Sequence, residues 1–130
     1  MVSKSYEKAK QEAFSFYKNW KKTGSYCKAF NEKILVTNKG WYHLIGKTGY
    51  KKRTIPDKYR RLKLLPYAKQ IIETASTIQN IRTQKGRVYY TLDAMLPVKE
   101  KEVTHLRKVR VIIIENNRGE KVFLSVMDKK

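Results

Sequence analysis

One of the two histidines in the chain, His43, lies in the run Gly40–Gly49 (GWYHLIGKTG). An imidazole changes its charge near neutral pH, so histidine is the usual side chain for moving protons in a catalytic site. The chain also has a formal net charge of +19. A titratable group among so many cations suits the cleavage of a phosphodiester bond, because cations stabilise the negative charge that develops on the phosphate.

The sequence contains no motif that is typical of a metal site. CxxC, HExxH and DxD patterns are missing, and Cys27 is the one cysteine. A structural zinc needs four nitrogen or sulfur ligands, and a two-metal nuclease needs clustered carboxylates. We therefore expect neither a metal nor another cofactor. RNA is then the favoured substrate, because its ribose 2′-hydroxyl is a built-in nucleophile.

Basic residues that follow His43 are candidates for stabilising the transition state. Lys47 and Arg53 could bind the phosphorane that forms during attack, and the backbone N–H groups of 46–49 could form a small anion nest. Gly46, Lys47 and Thr48 also match the end of a P-loop. Trp41 stands where that motif needs its first glycine, which excludes ATP binding of this type.

Further candidates come from basic patches with an interleaved aromatic residue and from the alternating pattern of the predicted strands. We expect Thr91 to position the phosphate, and six side chains to hold the RNA: Thr48, Lys52, Arg60, Arg61, Arg82 and Tyr89. Two simpler interpretations stay open. The basic patches could be solvated helix faces, and His43 could be a core histidine. His105, in a charged stretch, is expected to be solvated and idle.

Hydrophobic periodicity predicts helices first and strands afterwards. The predicted helices are 4–22, 41–45 and 56–75, with a restart at Pro66, and the predicted strands are 33–37, 77–83, 87–92, 108–115 and 121–127. The predicted turns are 38–40, 84–86 and 116–119, and the charged stretch 99–102 is expected to be a longer loop. This order predicts an α+β fold with N-terminal helices packed on an antiparallel sheet of about four strands. The free face of that sheet would form a shallow basic groove.

Length and composition predict one domain over residues 1–130. Hydrophobic residues make up 41% of the chain, which favours a folded protein over a disordered basic tail. No apolar run is long enough for a membrane span, and the N-terminus does not resemble a signal peptide. An excess of positive charge this large indicates a polyanion or an acidic protein as the partner.

The segment Tyr42-His43-Leu44, with Gly46 after it, follows a predicted strand at 34–36 and precedes helices and an antiparallel sheet. In this the chain resembles the barnase–EndoU–colicin–RelE superfamily of small ribonucleases. Its phage-encoded and polymorphic-toxin branches, such as the C-terminal toxin domains of contact-dependent growth inhibition, often have a strand, then an aromatic-x-His-Leu-x-Gly segment, then helices and an antiparallel sheet. Catalytic residues vary among the branches of the family, so only His43 carries over. EndoU members use two histidines, but His105 has no predicted place in the groove, which disfavours a two-histidine mechanism here.

The resemblance implies metal-independent cleavage of RNA, often a tRNA, that leaves a 2′,3′-cyclic phosphate. It also implies an acidic immunity protein or antitoxin that covers the basic groove. The domain would act in the cytoplasm, delivered from a larger secreted or phage-borne protein, and we expect the free chain to be a monomer.

Three hypotheses follow from the sequence. The first is a ribonuclease toxin domain with His43 as general base or acid and with Lys47, Tyr89 or water as its proton-transfer partner. The second is a non-catalytic nucleic-acid-binding protein encoded by a phage or mobile element. The third is an inhibitor or adaptor that recognises an acidic protein.

Overall fold

A computed structural model describes residues 4–47, 52–100 and 102–129. Its helices are α1 (Lys4–Thr23), α2 (Asn38–Ile45) and α3 (Ile55–Thr74), and its strands are β1 (Ser25–Cys27), β2 (Glu32–Ile34), β3 (Asn80–Gln84), β4 (Arg87–Glu100), β5 (Val103–Glu115) and β6 (Lys121–Lys129). Strands β3 to β6 form an antiparallel sheet in sequence order, and β1 pairs with β2 in a separate small sheet. The α+β prediction is confirmed, and the small sheet was not predicted.

The helices cover one face of the four-stranded sheet. The apolar residues of α1 that recur at spacings of three and four are buried: Tyr6, Ala9, Ala13, Tyr17 and Trp20. Phe14, expected to widen this stripe, is 49% exposed. The stripe packs with buried residues of α3 and with alternate residues of the strands, among them Leu92, Val111, Ile113 and Phe123. Burying an aliphatic or aromatic side chain stabilises a fold by roughly 1.5–3 kcal/mol. The core thus occupies this face and leaves the opposite face for a site.

The prediction that α3 restarts at Pro66 is wrong, because the helix continues through that residue. A proline inside a helix removes one backbone hydrogen bond. Here the ring lies on the exposed side, while Leu64, Leu65 and Ala68 beside it are fully buried. Packing of that buried face outweighs the lost hydrogen bond.

Two further predictions of chain connections are wrong. Residues 38–40, predicted as a turn, form the first turn of α2, because the Thr37 side chain caps the helix by accepting a hydrogen bond from Lys39 N at 3.3 Å. The longer loop expected at 99–102 is wrong for the described residues of this stretch. Lys99 and Glu100 belong to β4, which stays paired with β5 as far as Glu100 and Val103, and Lys101 lies outside the described residues.

Helix α2 lies close against β6, and Gly40 makes this approach possible. A Cβ atom at this position would lie 2.4 Å from Tyr17 Oη and 2.8 Å from the Phe123 carbonyl oxygen. At its other end α2 stops at Gly46, which adopts a left-handed conformation with φ of 67°. These two glycines set the position of the short helix that carries His43. None of the described helices has the length and apolarity needed to cross a membrane.

We expect Gly40→Ala to destabilise the protein by about 1–3 kcal/mol, because the added methyl group overpacks the contact between α2 and β6. The free energy of unfolding in urea measures this effect. An unchanged value would show that α2 can move away from Tyr17 and Phe123 at no cost.

Candidate functional site

The open face of the sheet carries a groove of about 490 Å³ between α2, the start of α3 and all four strands of the sheet. Its lining residues are Lys39, His43, Arg53, Arg61, Arg82, Gln84, Arg87, Tyr89, Ile112, Ile114, Leu124, Ser125 and Met127. Five of these side chains are cations, and no aspartate or glutamate stands among these described residues. The groove is therefore a strongly positive concave surface.

The structure brings five of the predicted site residues together in this groove. They are His43, Arg53, Arg61, Arg82 and Tyr89. These residues come from α2, the segment before α3, α3 itself, β3 and β4, so their meeting depends on the tertiary fold.

Four other predicted residues do not line the groove. Lys47 is exposed, with its Nζ atom 3.8 Å from the centroid of the Tyr42 ring, and Lys52 is also exposed. Thr91 is only 6% exposed. Thr91 pairs in register with Ile112, which lines the groove, so both side chains are on the same face of the sheet. The Thr91 side chain is nevertheless buried and is not exposed in the groove.

Arg60 points away from the groove and forms an ion pair with Asp128, with Arg60 Nε 3.0 Å from Asp128 Oδ2. Asp128 pairs in register with Val109, whose side chain belongs to the core face of the sheet. The tenth predicted residue, Thr48, lies outside the described residues.

Four polar residues that line the groove were not among the predicted site residues: Lys39, Gln84, Arg87 and Ser125. Alternation places Gln84 on the same face of β3 as Arg82, and Arg87 on the same face of β4 as Tyr89. The rule that selected Tyr89 could therefore have found Arg87, whereas Gln84 was predicted to lie in the turn 84–86. Lys39 was hidden because its segment was predicted as a turn.

Ser125 faces the groove because of an irregularity in the sheet. Ile112 pairs with Ser125 and Ile113 pairs with Phe123, so Leu124 is an extra residue in β6. A β-bulge of this kind redirects the side chains of its strand. Leu124 and Ser125 both line the groove, while Phe123 is fully buried in the core.

Arg53 contacts both the backbone carbonyl and the ring of His43. Arg53 Nε donates to the His43 carbonyl oxygen at 2.8 Å, and Arg53 Nη2 lies 3.0 Å from His43 Nδ1. A guanidinium group only donates hydrogen bonds, so Nδ1 is the acceptor and the proton of the neutral ring is on Nε2. The ring is half-buried and lines the groove, which disfavours the interpretation of His43 as an ordinary core histidine.

Asp57 links two of the groove arginines. Its Oδ2 atom lies 3.1 Å from Arg53 Nη1, and its Oδ1 atom lies 2.9 Å from Arg61 Nε. Arg61 Nη1 also donates to Ser125 Oγ at 2.7 Å. The resulting network joins α2, the start of α3 and β6. It fixes two guanidinium groups beside the His43 ring.

Burial and neighbouring charges shift the pKa values of this network. Burial lowers the pKa of Arg53, whose side chain is 2% exposed, and the charge of Arg61 lowers it further. Burial would raise the pKa of the Asp57 carboxyl. Hydrogen bonds and charges from Arg61 and Arg53 outweigh that effect and hold this pKa below its usual value of 3.8. The carboxylate is therefore ionised and committed to the two arginines.

The remaining cations of the groove, Lys39, Arg82 and Arg87, have no carboxylate beside them among its described lining residues. Burial lowers the pKa of Lys39, and the positive charge of Arg87 lowers it further. Lys39 lies in the first turn of α2, which contains no acidic residue, so its charge also opposes the helix dipole. A bound anion would relieve this repulsion. In the described part of the chain, no three His, Cys, Asp or Glu side chains are grouped to hold a metal ion.

We expect Asp57→Asn to lower the free energy of unfolding at neutral pH, because it removes the charge that holds Arg53 and Arg61. A carboxyl whose pKa is lowered by folding stabilises the protein above its unfolded-state pKa and loses this contribution as the pH falls through the folded-state pKa. The difference from wild type should therefore shrink as the pH falls below about 4. Urea unfolding across this range measures the effect. A difference that does not change with pH would assign the loss to packing.

No protein-family model matches this chain. No curated protein matches it at a significant level, and neither does any solved structure. Since a fold class alone does not define a function, the chemistry of the groove is the basis for inferring what the protein does.

Proposed function

We propose that the chain is a metal-independent endoribonuclease related to the barnase–EndoU–colicin–RelE superfamily. The observation that carries this proposal is that His43 and five cations line one groove that contains no carboxylate among its described lining residues. Such a site suits an RNA phosphate, which is negatively charged and gains further charge when its 2′-hydroxyl attacks. The product would carry a 2′,3′-cyclic phosphate.

The reaction begins when the ribose 2′-oxygen attacks the adjacent phosphorus and loses its proton. A phosphate is a stronger acceptor for a guanidinium than an imidazole nitrogen is, because it carries a full charge. A phosphate in the groove thus takes over the hydrogen bond from Arg53 Nη2 to His43 Nδ1, and this nitrogen becomes able to accept the proton, while Arg53 Nη1 keeps its contact with Asp57. In this scheme His43 is the general base, and substrate binding itself prepares it.

Arg53 and Arg61 then stabilise the phosphorane from positions that Asp57 already holds. Thr91, expected to position the phosphate, does not line the groove. Ser125 does line it, but Ser125 is 1% exposed and its hydroxyl accepts a hydrogen bond from Arg61 Nη1, so its role is to position Arg61. The bond from phosphorus to the leaving 5′-oxygen breaks, and that oxygen takes up a proton. Of the residues considered for this step, Tyr89 lies in the groove and Lys47 does not, so the donor is Tyr89 or solvent water.

The remaining cations of the groove would bind the neighbouring phosphates of the RNA. Lys39, Arg82 and Arg87 have no role in the chemical step and lie along the same surface. Phosphate contacts release counterions, so RNA affinity should fall steeply with salt. The same positive surface fits an acidic immunity protein or antitoxin, and we place the action of the domain in the cytoplasm, after delivery as part of a larger protein.

Incubation of the purified chain with total tRNA in EDTA tests the proposal. We expect discrete fragments that end in a 2′,3′-cyclic phosphate, and growth arrest when the chain is expressed in cells. Intact RNA together with salt-sensitive binding would support a non-catalytic nucleic-acid-binding protein instead. Negligible RNA affinity at physiological salt would support recognition of an acidic protein.

A further inference from the structure

The floor of the groove is aliphatic, although its rim is cationic. Ile112, Ile114 and Leu124 line it with the 2% to 9% of their surface that stays exposed, and they belong to a hydrophobic cluster that is separate from the main core. Tyr89 and Met127 are partly buried and pack against this cluster. The extra residue in β6 adds Leu124 to the floor.

Phosphate binding alone does not explain such a floor. A hydrated anion gains nothing from aliphatic surface, whereas the planar face of a nucleobase loses unfavourable contact with water when it packs there. One wall offers a second planar surface, because the Arg82 guanidinium carbon lies 5.0 Å from the centroid of the Tyr89 ring. Bases stack on aromatic rings and on guanidinium planes. Gln84 also lines the groove, and its amide can form hydrogen bonds with the edge of a base.

The size of the groove, about 490 Å³, lies within the range of pockets that enclose one small ligand. In duplex RNA each base is covered by its neighbours and paired at its edge, so it reaches such a floor only after flipping out of the helix. We propose that the groove takes up one unpaired nucleobase between its aliphatic floor and the wall formed by Arg82 and Tyr89. Resting on the proposed RNA function, this makes single-stranded or looped RNA the substrate class and excludes continuous duplex.

Binding of 2′-O-methyl RNA tests this inference separately from cleavage, because the methylated 2′-oxygen cannot attack. Three probes share one length: a single strand, its blunt duplex, and a single strand whose bases are replaced by abasic positions. At physiological salt we expect the single strand to bind about 10-fold or more tightly than the duplex and the abasic strand, as stacking of one base is enough to give this factor.

Equal affinity for the three probes would overturn the base platform and leave the ribonuclease proposal standing. No binding to any probe would overturn the platform, since it requires RNA in the groove. Failure of the ribonuclease proposal has a different signature: unmodified tRNA stays intact while the preference for the single strand persists.

Tyr89→Ala should weaken binding of the single strand by roughly 5- to 100-fold and leave binding of the abasic strand unchanged, because it removes a stacking surface and no charge. Tyr26→Ala is the matched control, since Tyr26 is 56% exposed on β1 and does not line the groove. An equal loss for both strands in Tyr89→Ala would contradict a role in base stacking. The comparison of the three probes on the wild-type chain decides the question even if Tyr89→Ala does not fold.

Discussion

Replacing His43 by alanine is expected to slow RNA cleavage by about 100-fold or more, the usual contribution of a general acid or base. The ring lines the cationic groove and is held there by Arg53. RNA affinity should change little, because the five cations of the groove remain. The single-turnover rate on tRNA in EDTA measures the first effect, and binding of 2′-O-methyl RNA measures the second.

The second histidine provides the matched control for this experiment. His105 is exposed on β5, pairs in register with Val98 and does not line the groove. His105→Ala should therefore cleave RNA at the wild-type rate. If His43→Ala and His105→Ala both cleave like wild type, His43 is not the general base. If neither the wild type nor the variants cleave, the chain is a binding protein that uses the same groove.

Features that depend on local periodicity could be predicted from the sequence. The spacing of Tyr6, Tyr17 and Trp20 predicts the buried stripe of α1, and all three are at most 4% exposed. The turn residues Asn116 to Gly119 predict the last hairpin, which closes with a hydrogen bond from Asn116 N to Glu120 O. Each of these patterns spans only a few residues, so no knowledge of distant contacts is needed.

The site depends on contacts between residues that are distant in the sequence, and no short stretch of sequence shows them. Arg60 and Arg61 are adjacent and chemically identical, but neighbouring positions on a helix point in directions about 100° apart. One side chain therefore reaches Asp128 and the other reaches Ser125. The bulge at Leu124 could not be predicted from the sequence of β6 alone, because a bulge is defined by the pairing of the strand with its neighbour, here β5.

The role of Asp57 could not be predicted from the sequence either. The sequence shows a carboxylate in a predicted helix, four residues from Arg53 and four from Arg61. Such spacings are common on exposed helix surfaces, where an ion pair contributes little. In the folded protein the Arg53 side chain is only 2% exposed and contacts His43. The ion pair between Asp57 and Arg53 therefore helps to hold the candidate site in place.

Replacing Arg53 by lysine is expected to slow cleavage by about 10-fold or more and to destabilise the fold by about 1.5–3 kcal/mol, the value of a hydrogen bond to a charged group. Lysine keeps the positive charge. Its single ammonium group cannot span the His43 carbonyl, His43 Nδ1 and the Asp57 carboxylate, which the planar guanidinium contacts together. The cleavage rate and the free energy of unfolding in urea measure the two effects.

Arg60→Lys separates the catalytic effect from the structural one, because Arg60 also pairs with an aspartate but lies outside the groove. Arg60→Lys should lower the free energy of unfolding, while the folded protein cleaves RNA at the wild-type rate. A double-mutant cycle adds the decisive comparison. If Arg53 acts by preparing His43, Arg53→Lys should slow cleavage much less in the His43→Ala background than in wild type. Equal losses in both backgrounds would mean that Arg53 acts on the phosphate independently of the histidine it contacts.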